Sequence, residues 1–383
     1  RKYQSKKVLV DENVFIKEIK ISTQNAFGKI LDQYAKNNTD FSQRILTTSP
    51  DVSVSTNLGP WINRKGLFSR KDSSDIFKDR KIPSAQKWIF SSQGQHIELG
   101  IAEMNLFLML GAAGLSHEFF GERLFPIGTV YDPFISRGLD AMNYACYQDA
   151  RFMIVGTPSG ISLAPEGGAH QSIGTPLIGI SQPGLLSFEP AFADELALIM
   201  NYGFNFLQDE DGGSIYLRLS TRSIDQPLRE MDNELKKNII KGGYWLKKPG
   251  PNPEVIIIYQ GSVASEVIEA TAFLGERFKD LGVLSVTSSD NLFHEWKKQA
   301  LSFKNNKTQS HIEKLLESVP KDTRIITVID GHPMTLSWIG SVYGHKTIPL
   351  GIDRFGQTGN IKDLFNEFGI DTNNISNLGF NLS

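Results

Sequence analysis

Gly100-Ile101-Ala102-Glu103-Met104-Asn105 runs into Leu106-Phe107-Leu108-Met109-Leu110-Gly111-Ala112-Ala113-Gly114, a segment that carries no charge after its single acid. If Glu103 opens a helix here, that helix is held against a hydrophobic core and sets a carboxylate among apolar neighbours. An ionised acid so placed needs a partner, and a carboxyl in a dry setting can donate and accept a proton near neutrality. The same position also suits an ordinary helix-start Glu at the positive end of the helix dipole. The segments on either side must decide between these readings.

Toward the amino terminus, Ser22 precedes Ala26, Phe27, Ile30 and Leu31 at helical spacing, a capped amphipathic helix. Arg44 to Thr48 reads as a short buried strand that stops at Ser49-Pro50-Asp51, which puts Asp51 at a carboxyl end, where open α/β sheets place ligands. Residues 55–92 are polar with little periodicity and read as a long surface excursion, pinned by Trp61, Phe68 and Trp88. Toward the carboxyl terminus, Leu124 to Tyr131 is a buried strand, followed by a helix through Phe134, Leu139, Met142 and Tyr144. Arg151 to Thr157 is a further strand, ending in a Pro/Gly-rich loop that contains His170 and runs to about Gly184. Glu189 to Ala197 opens a helix with acids and a proline in its first turn, and Ser214 to Leu219 is a strand. Such alternation argues a parallel sheet covered on both faces. Lys247-Lys248-Pro249-Gly250-Pro251-Asn252-Pro253 can continue neither a helix nor a central strand and reads as a linker. Strands at Glu254 to Tyr259, Val283 to Thr287 and Arg324 to Ile329, with a helix near 264–279, give a second α/β alternation. The fold class expected is α/β: two doubly wound domains, the larger at 1–246 and the smaller at 254–383.

Composition narrows the function classes. The chain has 383 residues, 40 Lys+Arg against 42 Asp+Glu and a formal net charge of −2, a balance that points away from nucleic acid or a membrane surface. Cys146 is the one cysteine, so no internal disulfide and no thiolate metal cluster can form, as suits a reducing, cytoplasmic setting. The 7 histidines show no metal-ligand spacing, and there is neither a His-Glu-x-x-His nor a phosphate-loop motif. No Gly-x-Ser-x-Gly elbow follows a strand, which disfavours a Ser/His/Asp hydrolase. Three ligand-side features remain: Asp51, the segment Tyr131 to Arg137, and His170 behind Gly167-Gly168. Taken alone, Tyr131 and Phe134 also fit as core aromatics, His170 as a structural histidine, and the glycines as turn residues.

Together these stretches resemble a known family. Gly100-Ile101-Ala102-Glu103, Tyr131-Asp132-Pro133-Phe134-Ile135-Ser136-Arg137 and Glu166-Gly167-Gly168-Ala169-His170-Gln171, in that order, are similar to the pyrimidine-binding domain of the thiamine-diphosphate enzymes related to transketolase. The resemblance is nearest to the carboxyl-terminal half of the single-chain dehydrogenase component of bacterial pyruvate dehydrogenase complexes. It is echoed by Ile21-Ser22-Thr23, by Gly156-Thr157 and, at greatest length, by Phe188-Glu189-Pro190-Ala191-Phe192-Ala193. It continues through Gly351-Ile352-Asp353-Arg354-Phe355-Gly356 into a transketolase-type carboxyl-terminal domain.

What the resemblance implies is specific. Glu103 matches the acid that bonds the far nitrogen of the aminopyrimidine so that thiamine diphosphate can lose its thiazolium proton. Tyr131 and Phe134 match aromatics that hold the pyrimidine ring, and Arg137 a basic residue a turn further on, structural rather than catalytic. His170 matches a histidine beside the reacting carbon, which handles protons or orients a 2-oxo acid. The catalytic pair implied is Glu103 and His170; Asp51, Tyr131, Phe134 and Arg137 form the cofactor-binding set. The implied activity is decarboxylation of a 2-oxo acid, pyruvate first, with acyl transfer to a lipoyl group on an acyltransferase partner. Ketol transfer on sugar phosphates and a non-catalytic assembly role are the alternatives. Gln171-Ser172-Ile173-Gly174 departs from the dehydrogenase pattern toward that of transketolase, and Arg218 and Arg222 suit either an anionic substrate or surface ion pairs. These enzymes bind Mg2+ and the diphosphate through a separate domain with Gly-Asp-Gly, and no Gly-Asp-Gly occurs here. The expectation is therefore half a site in an obligate homo- or hetero-oligomer, completed by an upstream segment or another subunit; Arg1 in place of Met favours the former.

Overall fold

The computed structural model describes residues 5–12, 14–71, 79–83, 88–302 and 308–381. Its helix Thr23–Asn37 illustrates how local sequence dictates each element. Ser22, in extended backbone, accepts the Asn25 amide at 3.1 Å and so satisfies one of the donors that a helix start leaves free. Ala26, Phe27, Ile30, Leu31 and Tyr34 are buried along one face, with Phe27, Ile30 and Leu31 each contributing about 1.5–3 kcal/mol on leaving water. Asn38, in left-handed backbone at φ 47°, ends the helix.

The larger unit carries strands β1 (Lys20–Ile21), β2 (Ile45–Ser49), β3 (Leu67–Phe68), β4 (Phe90–Ser91), β5 (His96–Glu98), β6 (Phe125–Val130), β7 (Met153–Gly156), β8 (Leu185–Phe188), β9 (Ser214–Arg218) and β10 (Ile224–Asp225). β1 and β10 form an antiparallel ribbon. The others form one sheet in the order β4-β3-β5-β2-β6-β7-β9-β8, parallel throughout. Side chains alternate between two apolar layers, so on β7 Met153 and Val155 face one core and Ile154 the other. The chain leaves β2 toward one edge, then returns past it to β6. Strand order thus reverses beside β2, the place where such sheets take ligands.

The second unit holds β11 (Gly243–Lys247), β12 (Val255–Gln260), β13 (Gly282–Val286), β14 (Arg324–Ile329) and β15 (Thr347–Leu350), in the order β11-β13-β12-β14-β15. β11 is antiparallel to β13 and the remaining pairs are parallel, giving a mixed sheet. β11 precedes the Pro/Gly-rich linker and yet belongs to the second sheet. Its edge position tolerates the prolines that follow.

Other expectations need adjustment. The surface excursion of residues 55–92 contains the helix Gly59–Lys65, strand β3 and the edge strand β4; residues 72–78 and 84–87 lie outside the described residues. Trp61 is fully buried and pins this region as expected, whereas Phe68 is 44% exposed. β8 was hidden between Pro/Gly turns, and the helix placed at Glu189 begins at Ala193. Phe134 sits on a 3-10 turn, Asp132–Gly138, ahead of the helix Leu139–Tyr147.

Candidate active site

Adjacent strands β5, β2, β6 and β7 deliver the candidate residues from their carboxyl ends, through Gly100 to Glu103, to Asp51, to Tyr131, and into the loop carrying His170. Glu103 is the first residue of the helix Glu103–Gly114, and Ala102 before it gives no side-chain cap. It is 8% exposed, with Leu106, Phe107 and Leu110 fully buried along the helix behind it. Both readings of Glu103 therefore hold: it is a helix-start acid and it is sunk beside the core.

Its partner is Arg137, whose Nη1 donates to Glu103 Oε1 at 2.5 Å. Arg137 is carried toward the helix by the 3-10 turn, where a Cβ on Gly138 would meet Phe107 Cδ2 at 2.0 Å. The guanidinium lies 3.9 Å from the centroid of Phe134, so it is held by a charge-assisted bond on one side and a ring face on the other. Tyr131 and Phe134 are nearly parallel, with centroids 6.1 Å apart and an interplanar angle of 12°. His170 stands edge-on, 6.3 Å from Tyr131 and 5.3 Å from Phe134. Glu103, Arg137, Phe134, Tyr131 and His170 form one contiguous group, in which the aromatic rings and His170 are half-buried.

Asp51 is not in that group. It is exposed, in left-handed backbone at φ 63°, and its amide donates to Glu98 Oε1 at 2.7 Å. Glu98 anchors a polar cluster that sequence reading missed. Ser53 Oγ donates to Glu98 Oε2 at 2.5 Å and lies 3.0 Å from His96 Nε2, while Thr47 Oγ1 lies 2.9 Å from His96 Nδ1. Burial alone would push the Glu98 carboxyl up, but His96, Ser53 and the Asp51 amide together hold it down at about 2. The available signal was Gln95-His96-Ile97-Glu98, a polar alternation unusual for a strand beside the sheet centre.

A second missed cluster lies beneath the site. Asp132, completely buried, accepts from the Tyr216 hydroxyl, from Thr175 Oγ1 at 2.5 Å and from Arg218 Nε at 3.0 Å. Arg218 Nη1 donates to Glu189 Oε1 at 2.5 Å, and Gln260 Nε2 reaches Glu189 Oε2 at 2.9 Å. Arg218 is 2% exposed, which overturns its reading as a surface ion pair or a substrate cation. Burial pushes the Glu189 carboxyl up to about 7 against the pull of Arg218. Arg222 is likewise spent: both of its terminal nitrogens donate to Glu266, Nη1 also reaches Ser262 O at 3.0 Å, and the guanidinium covers Phe365 at 4.7 Å.

Among the described residues no group of His, Cys, Asp and Glu could hold a metal ion, and no helix is long and apolar enough to cross a membrane. The groups that are present, a buried carboxylate beside a flat aromatic wall, fit the aminopyrimidine end of a thiamine cofactor.

Comparison with known proteins finds matches along most of the chain. Residues 5–227 match the pyruvate dehydrogenase E1 component middle domain, and residues 242–371 the transketolase-like TK C-terminal domain. The pyruvate dehydrogenase E1 component of Cupriavidus necator is 24% identical over 368 residues, 92% of this chain and 40% of that protein. Transketolase 2 of Aliivibrio fischeri is 26% identical over 285 residues, 74% of this chain and 39% of that protein. Transketolase from Campylobacter jejuni has the same fold, with a TM-score of 0.73 at 20% identity over 97% of this chain and 48% of that one. A split-gene transketolase described as an inactive beta4 tetramer superposes with a TM-score of 0.63 at 20% identity, over 94% of this chain and 98% of that one. The chain spans about 40% of the length of the first pyruvate dehydrogenase components it matches. With its two sheets and its sequence in agreement, this chain belongs to the pyruvate dehydrogenase E1 middle-domain family, followed by a transketolase-like carboxyl-terminal domain.

Proposed function

We propose that this chain supplies the pyrimidine-side half of a thiamine-diphosphate site that decarboxylates a 2-oxo acid, pyruvate first, and passes the acyl group to a lipoyl arm on an acyltransferase. The observation that carries the reading is the buried Glu103, bonded to the half-exposed Arg137, beside the parallel Tyr131 and Phe134 rings. Glu103, Tyr131 and Phe134 would hold the pyrimidine end of thiamine diphosphate, which would supply a nucleophilic carbon and an electron sink for decarboxylation of a 2-oxo acid. Glu103 shares a proton with the far nitrogen of the aminopyrimidine, and Arg137 orients its carboxylate. Tyr131 and Phe134 give the ring a flat wall. His170 handles protons at the reacting carbon or orients the substrate carboxylate. Asp51, exposed at the end of β2 and outside that group, is kept in the proposed cofactor-binding set for its place at the strand's carboxyl end. We assign the diphosphate and Mg2+ to a region of the assembly outside these residues.

The active-site helix also bears on assembly. Ile101, Met104 and Leu108 are 80%, 42% and 58% exposed, and Tyr144 and Tyr147 stand exposed on the neighbouring helix. An apolar face of this kind beside a half-site is what a second subunit covers.

Glu103→Ala in the complete assembly should cut turnover by about 10³-fold while leaving the thermal melting of the chain unchanged. Near-normal turnover would sink the assignment. Ketol transfer is the second reading, favoured by the likeness to Transketolase 2. Against it, Arg218 and Arg222 are both internally paired and offer no free cation to a sugar phosphate. Assaying pyruvate against xylulose phosphate as donor separates the two, and inactivity with both would leave a non-catalytic assembly role.

A further inference from the structure

We propose that Asp330, in the carboxyl-terminal domain, is a positioning residue for His170, so that the smaller domain sets the geometry of the reacting centre from a distance. The inference rests on the reading above in which His170 orients the substrate carboxylate. Asp330 follows β14, is 1% exposed, and belongs to neither the aromatic group nor the Glu103 pair.

The loop between β7 and the helix Thr175–Ser181 is stitched to the carboxyl-terminal domain along its length. At its start, Asp330 Oδ1 accepts the Ile161 amide at 2.8 Å and Oδ2 the Ser162 amide at 3.2 Å. Gly160 has φ +66°, and a Cβ there would lie 2.2 Å from Asp330 Oδ2, so the carboxylate fits against bare backbone. Further along, the Gly359 amide donates to Ala164 O at 3.2 Å and Gln171 Nε2 to Gln357 O at 3.0 Å. At its end, the His332 amide donates to Ile173 O at 2.9 Å.

A second route ties the start of the loop to the neighbourhood of His170. The Gly160 amide donates to Ser172 Oγ at 2.8 Å, and Arg218 Nη2 donates both to that Oγ at 3.2 Å and to the Asp330 carbonyl at 2.8 Å. Asp330 therefore holds one end of the loop through its carboxylate, the part that substitution removes, while its backbone carbonyl, through Arg218 and Ser172, braces the residue two positions beyond His170. Among the described residues, His170 makes ring contacts with Tyr131 and Phe134 and a backbone bond to Gly167. Its place is set by the loop rather than by its own side-chain bonds.

The test is a double-mutant cycle in the full assembly, with pyruvate turnover and the exchange rate of the cofactor's thiazolium proton as separate readouts. Asp330→Ala should lower kcat about 30-fold, as expected when a reacting group is misplaced by a fraction of an ångström, with KM within threefold and proton exchange unchanged. Asp330→Asn, which keeps an acceptor for one of the two amides, should recover to within about fivefold of the parent. In a His170→Ala background neither change should cost a further twofold. If Asp330→Ala does not fold, Asp330→Asn in the same cycle decides. A loss that persists undiminished without His170, an unchanged kcat, or slowed proton exchange would each overturn the proposal. Failure of the functional reading shows separately, as a Glu103→Ala variant that retains both exchange and turnover.

Discussion

The charged group at the mouth of the site and the one beneath it use the same residue types on opposite terms. At the mouth, Glu103 and Arg137 make a single bond, with the arginine side chain 51% exposed and resting on a ring. Beneath, Arg218 is shared among Asp132, Glu189, Thr175, Ser172 and the Asp330 carbonyl, with almost no water access. Among the described residues the mouth leaves donors and acceptors unspent, as a ligand site would need. The cluster spends nearly all of its own, as a structural joint must, because a buried charge without a partner costs several kcal/mol. Charge type alone therefore does not locate a site; the margin of unsatisfied bonding does.

Breaking the joint should have the largest effect. Arg218→Met strands two buried carboxylates and should destabilise the chain by about 3–5 kcal/mol in urea unfolding. Adding Glu189→Gln to that variant should return part of the loss; a further loss would refute this account of the cluster. Smaller is the effect expected at Glu98. Its folded pKa of about 2 lies below the unfolded value, so its contribution is present above pH about 4.5 and is lost as the pH falls toward 2. For this partly exposed group the contribution should be about 1 kcal/mol after solvent screening. Glu98→Gln should flatten the acid limb of the stability profile in that window, and an unaltered limb would remove the cluster from the acid response. Smallest should be Arg137→Ala, a change of less than about 1 kcal/mol in stability. It sharpens the contrast if turnover nevertheless falls, since stability and function then part company at the mouth and not at the joint.

What the sequence made legible follows the same division. Glu103, Tyr131, Phe134 and His170 sit in short motifs at strand ends, where local pattern and resemblance both speak. Arg137 was legible as a position, but its bond to Glu103 depends on how the 3-10 turn meets the helix at Gly138. Arg218 was misread because a charge within Ser214 to Leu219 looks like an exposed strand end, and its partners come from positions 132, 189 and 330, which no local window joins. β8 escaped because four residues between turns carry too little period to register. β11 escaped because the prolines after it are a stronger signal than the pairing before them.

That last strand has a practical consequence for anyone dissecting the protein. Cutting at the prolines, where the sequence invites it, would leave β11 behind with the first domain and bare the β13 edge, a template for aggregation. A cleaner cut lies upstream, in the stretch between β10 and the helix Asn233–Ile240. Even there the freed second domain would carry the Asp330 carboxylate without the two amides it now holds, and the first would lose the acceptor that ties Arg218 down. The two pieces should be produced together, or the smaller one recovered with Asp330 replaced by a neutral residue.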